Sequence, residues 1–160
     1  MGWTAEDAED LVTNYLSSNL AAKLAAIATA RSVTVPAPVK ITKIEPLALQ
    51  VPLVFVHVQE AEYDWGPEDA PLKEGPVRNF GVTIRVTHGI AATGGREGLR
   101  ETLQRYEEAI VDLIVTDWTF GNAAVRIISE GADFTPETGD DESPLLYQEM
   151  ILTCSLRRHP

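Results

Sequence analysis

Residues 77–88 alternate cleanly between the two sides of an extended chain. One side carries Arg78, Phe80, Val82, Ile84, Val86 and His88, and the other carries Val77, Asn79, Gly81, Thr83, Arg85 and Thr87. Successive side chains of a β-strand point to opposite faces, so this pattern predicts a strand with one buried face. Half-buried strands are typical of antiparallel sheets, which are covered on one side.

Four more segments are predicted to be strands. They are the region of Val39 and Ile41, residues 53–58, residues 123–129 and residues 145–156. The run at 53–58 is rich in β-branched residues, and the last segment alternates, with Met150, Leu152 and Cys154 on one face. Consecutive strands of alternating polarity favour antiparallel pairing.

Two segments have helical periodicity. Residues 4–30 repeat apolar side chains at three- and four-residue steps, and Thr4 can cap this helix. Residues 95–116 carry a second stripe of the same spacing. We therefore expect a single α+β domain over residues 1–160, a two-layer sandwich. Its mostly antiparallel sheet of about four to five strands is covered by two amphipathic helices.

The charge balance narrows the classes of function. The chain has 160 residues, a net charge of −11 and one cysteine. A surplus of acid disfavours a protein that grips nucleic acid or an anionic membrane surface. A lone cysteine excludes an intrachain disulfide, and no run of 18 apolar residues exists to span a bilayer. These features favour a soluble protein made in a reducing compartment.

Two acidic loops are predicted, at about 59–76 and about 132–144. Their carboxylates include Glu60, Glu62, Asp64, Glu68, Asp69, Glu137, Asp140, Asp141 and Glu142. Calcium binding by the second group is one alternative, although the order of ligands in an EF-hand is missing. Ordinary solvated charge is the default interpretation.

No catalytic, cofactor-binding or metal-ligating residue is predicted. The three histidines lack the spacing of metal motifs, and Cys154 lies in an apolar register that indicates a buried side chain. Residues Gly89–Gly95 have the glycine spacing of a phosphate-binding loop, but Arg96 and Glu97 stand where that loop needs Lys and Ser or Thr. We expect a protein that is not an enzyme and needs no cofactor.

Candidate contact residues lie in two places. Trp65 stands in the first acidic loop, where it is either an interface residue or a local plug. Ala21, Ala22 and Ala25 give the first helix a flat flank on which another subunit could pack closely. Trp3 and Trp118 are expected at helix edges in the core.

The layout of the chain supports a resemblance. A helix at 4–30 is followed by Pro-bounded strands at 46–58, and Arg78 to Val86 reads Arg-x-Phe-x-Val-x-Ile-x-Val. The helix at 95–116 and a strand from Tyr147 to Leu156 complete the order. This layout resembles that of the tail-terminator (tail-completion) proteins of long-tailed bacteriophages.

The resemblance implies a virion protein that is assembled in the host cytoplasm. Members of that family form rings, commonly hexameric, that cap the tail tube and join it to the head. The implied partners are copies of the chain, the tail-tube protein and a head-completion or adaptor protein, with DNA passing through unbound. Acidic loops lining the ring would repel phosphates and let the duplex slide.

Three other functions remain open. The chain could be another neck component, such as a head–tail adaptor or a minor tail protein. It could instead be a small-ligand-binding α+β domain, with a pocket on the sheet or in a loop cleft. A hydrolase is the weakest alternative because no nucleophile and base can be paired.

Overall fold

Five strands form one sheet in the order β1-β2-β3-β5-β4, with two helices. The computed structural model describes residues 2–48, 50–89, 96–135 and 147–160. The elements are α1 (Ala5–Arg31), β1 (Lys40–Thr42), β2 (Leu53–Asp64), β3 (Val77–Gly89), α2 (Arg96–Thr116), β4 (Val125–Phe134) and β5 (Tyr147–Arg158). All strand pairs are antiparallel except β1 with β2, which confirms the predicted α+β class.

Helix α1 begins with a capping box. The side-chain oxygen of Thr4 accepts a hydrogen bond from the Asp7 amide at 3.4 Å, and the Asp7 carboxylate accepts one from the Thr4 amide at 2.6 Å. The hydrogen bonds that the Thr4 amide and hydroxyl donate to the Asp7 carboxylate lower the pKa of Asp7. Ser32, in the left-handed conformation, ends the helix. The predicted stripe is buried at Ala8, Val12, Leu16, Leu20, Leu24 and Ile27.

Helix α2 completes the layer that covers the sheet. Its buried side chains Leu99, Leu103, Tyr106 and Ile110 join α1 and one face of the sheet in a single core cluster. The Tyr106 hydroxyl donates to the Pro36 carbonyl at 2.7 Å, which ties the segment after α1 to α2. No helix of the described chain covers the other face of the sheet, which we call the open face.

Strand β2 extends beyond its predicted end. Glu60, Glu62 and Asp64 pair with Gly81, Asn79 and Val77 of β3, so they lie on a strand and not in a loop. Backbone pairing with β3 overrides the low β-propensity of these acidic residues. A bulge between Val58 and Glu60 shifts the register, and the connection shrinks to residues 65–76.

The second predicted acidic loop begins later than expected. Strand β4 continues to Phe134 because Ala132, Asp133 and Phe134 pair with β5. Glu137, Asp140, Asp141 and Glu142 lie outside the described residues, as do residues 90–95 of the glycine-rich stretch.

The edge of β2 is open over its second half. Strand β1 pairs only with Leu53–Phe55, and no other described strand pairs with this edge of β2. The amide of Val58 donates instead to the Glu9 carboxylate at 2.9 Å. Residues 59–64 are exposed on both faces, so the end of the β2–β3 hairpin stands clear of the core. Within the described residues, neither helix is long and apolar enough to cross a membrane.

Candidate functional site

The first candidate surface is the acidic edge, defined here as Glu60, Glu62 and Asp64 of β2. Because a strand repeats every two residues, these side chains share the open face of the sheet. Glu60 and Glu62 line a cavity of about 260 Å³ that is also bordered by Asn79, Ser155 and Glu130. None of the three carboxylates of the acidic edge forms an ion pair with a described residue.

The hairpin turn, residues 65–76, displays Trp65. The Leu72 amide donates to the Trp65 carbonyl at 2.8 Å, and the Gly66 amide donates to the Asp64 carboxylate at 2.9 Å. These bonds shape the turn without burying the indole, since Trp65 is 57% exposed. Trp65 is therefore not a local plug. Glu68 and Asp69 are exposed in the same turn.

The second candidate surface lies at the opposite side of the sheet, beside β4. An open groove of about 340 Å³ is lined by Ile114, Val115, Trp118, Ile127, Ile128 and Ser129. We call it the apolar groove. Val115 is 77% exposed, Trp118 57% and Ile128 55%, so three large apolar side chains meet solvent together. Clustered exposed apolar residues mark contact surfaces.

The prediction that Trp118 lies in the core is wrong, and the turn after α2 explains why. The Asp117 carboxylate accepts hydrogen bonds from the Thr119 hydroxyl and from the amides of Thr119 and Gly121, and these bonds lower its pKa. The turn directs Phe120 inward, where its ring stacks on Tyr15 with centroids 4.0 Å apart. Trp118 stays outside, with the Arg126 guanidinium 5.2 Å from its ring centroid.

The sequence patterns did not predict the apolar groove. Its signal was the run of Trp118, Thr119 and Phe120, which places two large aromatic side chains in the short link after helix α2. Trp3 does pack partly against the core. Its ring meets that of Phe80 edge-on, with the ring centroids 6.0 Å apart.

The remaining predicted contact residues are exposed. Ala21, Ala22 and Ala25 lie on the side of α1 away from the buried stripe. They form a flank of small side chains in the helix layer, whereas Trp65 lies in the hairpin turn. The structure thus places the two predicted contact regions on different layers.

The buried titratable groups are held in their neutral forms. Burial raises the pKa of the Cys154 thiol to about 12, and the charge of Glu130 adds to this effect. The burial of Cys154 confirms the sequence prediction, and a thiol that stays protonated is a poor nucleophile. Burial also lowers the pKa of His88, whose two ring nitrogens have no hydrogen-bond partner among the residues that the structure describes. In the part of the chain that the structure describes, no three His, Cys, Asp or Glu residues are grouped to hold a metal.

A further cavity, of about 540 Å³, lies between the end of α1 and helix α2. Arg31 and Arg105 line it, and both form ion pairs with Glu108 at 2.8 and 2.9 Å. These contacts raise the pKa of Arg31 and lower that of Glu108. The two guanidinium groups therefore already have a carboxylate partner within the fold.

No protein-family model and no curated protein matches this chain.

Proposed function

We propose that this chain is a structural subunit that assembles with copies of itself into a ring and caps the tail tube of a long-tailed phage. One observation carries the proposal. The acidic edge and the apolar groove are unlike surfaces on opposite sides of one sheet. Contact between unlike surfaces of identical subunits is heterologous, and it generates a ring when the rotation closes.

The order of elements supports the tail-terminator form of this proposal. The resemblance rests on a long first helix, a Pro-bounded strand region, an alternating strand, a second amphipathic helix and a closing strand. The observed elements follow that order, from α1 through β5. The partners proposed are other copies of the chain, the tail-tube protein and a head-completion or adaptor protein.

The unpaired carboxylates of the hairpin support passage of DNA without binding. Glu68 and Asp69 extend the acidic edge into the turn, and neither forms an ion pair with a described residue. Negative charge repeated around a ring would repel phosphates. We propose that the carboxylates of the hairpin turn, Glu68 and Asp69, face the central hole. In this role the chain catalyses no reaction and takes no cofactor.

Electron microscopy of the purified protein mixed with tubes of purified tail-tube protein tests the function. The expected result is a ring at one end of each tube, together with an arrest of tube growth. Binding to the portal assembly instead of the tube end would favour a head–tail adaptor. A protein that binds neither structure and forms no ring at any concentration would contradict the proposal.

A further inference from the structure

The pairing register places the acidic edge level with the start of β4. Glu62 pairs with Asn79, Asn79 with Arg157, and Arg157 with Arg126. The next row on the open face runs from Glu60 through Gly81 and Ser155 to Ile128. Directly paired residues point to the same face, so Glu62 and Arg126 lie at opposite ends of one row.

Near each end of this row lie like charges that form no ion pair with a described residue. Arg126 and Arg157 are exposed, lie directly opposite each other on β4 and β5, and form no ion pair with a described residue. Like charges in directly opposed positions destabilise a sheet. On β2, Glu60, Glu62 and Asp64 stand two residues apart on one face, with the same shortage of partners.

The charges on the β2 side and on the β4 side are complementary at only one level of the sheet. At the bulge β4 carries Glu130, and beyond it Asp133, in place of arginine. At the corresponding level of the other side, β2 carries His57 and then Phe55, where β1 covers the edge. Basic residues therefore occur on β4 only where the opposite edge is acidic and open.

Exposed aromatic side chains accompany the charges on both sides. Tyr63 is 54% exposed beside the acidic edge, with the Arg78 guanidinium 5.6 Å from its ring centroid. Trp118 and Val115 are exposed beside Arg126, in the apolar groove. Aromatic contacts surrounded by paired charges are typical of subunit interfaces.

We propose that the acidic edge of one copy docks against the β4 side of the next copy. Glu62 meets Arg126 of the neighbouring copy, and Tyr63 packs against the apolar groove. A second copy is the occupant that the geometry favours, because the two complementary surfaces belong to the same chain and lie at the same level. Rotation about an axis along the strands brings them together without a vertical step. This interface rests on the proposed ring.

Site-specific cross-linking tests the direction of the contact. Cys154 is buried, so cysteines introduced by Glu62→Cys and Arg126→Cys are the reactive thiols. With a short bismaleimide, the double variant is expected to give a ladder of covalent oligomers, and the two single variants are expected to cross-link only when mixed. The matched control combines Glu101→Cys, at an exposed position of helix α2, with Arg126→Cys.

Two cross-linking results would overturn this interface. One is cross-linking of Glu62→Cys with itself, which indicates a two-fold contact. The other is a yield from the double variant no higher than that of the control pair at the highest soluble concentration. If rings cap tail tubes without this cross-link, the proposed function stands and the interface is rejected. If the ladder forms and no tube is capped, the interface stands and the function is rejected.

Charge reversal provides a second readout. Glu62→Arg and Arg126→Glu are each expected to weaken self-association by about tenfold or more, because like charges then face each other. The combined reversal is expected to restore association, as measured by light scattering. Glu101→Arg is the control of equal charge change. Failure of the combined variant to recover, while its melting temperature equals that of the parent, would contradict a direct Glu62–Arg126 contact.

Discussion

His88 shows how a single residue resists prediction. Alternation places it on the same side as Val82 and Ile84, and the structure buries it completely. Its strand partner Gln148 is also buried. The Gln148 side-chain amide donates to the Thr135 carbonyl at 2.9 Å, and it forms no hydrogen bond with His88. A buried imidazole without partners favours its neutral form.

This burial predicts a pH dependence of stability. The unfolded chain takes up a proton at His88 near pH 6.5, whereas the lowered pKa keeps the folded state neutral. The contribution of the neutral imidazole to the unfolding free energy is therefore complete above about pH 6.5. Below that pH it falls by up to about 1.4 kcal/mol for each pH unit. Replacing His88 by leucine is expected to flatten the pH dependence of the unfolding free energy below about pH 6.5, as measured by urea denaturation.

A matched core variant separates this slope from general destabilisation. Val86→Ala leaves His88 in place and should lower the unfolding free energy by about 2 kcal/mol at every pH. The explanation would be wrong if His88→Leu kept the parent slope.

At the scale of elements, local capping supports α1. Thr4 and Asp7 satisfy amides that no turn of the helix can reach, and Ser32 closes the other end. Tertiary contacts then orient the element: its buried stripe packs on the sheet, and the Lys43 ammonium pairs with Asp10 at 2.7 Å. This contact and a similar one to Glu6 raise the pKa of Lys43.

Loss of the cap should be measurable. Thr4→Ala removes the acceptor for the Asp7 amide and is expected to lower the unfolding free energy by about 1 kcal/mol, measured by urea denaturation. Thr29→Ala is the matched control, since the Thr29 hydroxyl bonds only the Ala25 carbonyl within the helix, and little change is expected. An equal fall of the unfolding free energy in both variants would show that the capping box does not stabilise the helix more than an ordinary threonine does.

At the scale of the molecule, most of the proposed contact residues lie outside the core. The core cluster contains no residue of the hairpin turn 65–76 or of the acidic edge. In the apolar groove, Val115, Trp118 and Ile128 are exposed, whereas Ile114 and Ile127 also belong to the core cluster. Stability and assembly should therefore respond to different substitutions.

Trimming the hairpin tests this separation. Asp64 and Val77 are directly paired, so Asn-Gly can replace residues 65–76 as a two-residue turn. We expect the unfolding free energy to stay within about 1 kcal/mol of the parent value, because the removed residues lie outside the core. If the exposed Trp65 of this turn is the candidate contact residue for the tail tube, its loss should lower binding to tail tubes. Trp65→Ala should reproduce that fall, and unchanged binding in both variants would remove Trp65 from the interface.

Local patterns predicted most of the elements. The strand at Val77–Gly89, both helices and the burial of Cys154 follow from alternation or helical spacing. Hydrophobic burial acts on each element through its own periodicity, so the sequence carries this information locally. Sequence periodicity did not predict that Phe120, and not Trp118, is the core residue, because the turn at Asp117 determines which ring points inward.

The sequence by itself determined that this chain forms an α+β fold with one covered sheet face and an excess of exposed acid. Only the tertiary structure decided that β5 lies between β3 and β4, and that β2 continues through three acidic residues. Both outcomes depend on backbone hydrogen bonds between distant segments, which side-chain periodicity does not encode. That long-range pairing is what brings Glu62 and Arg126 to the two ends of one row.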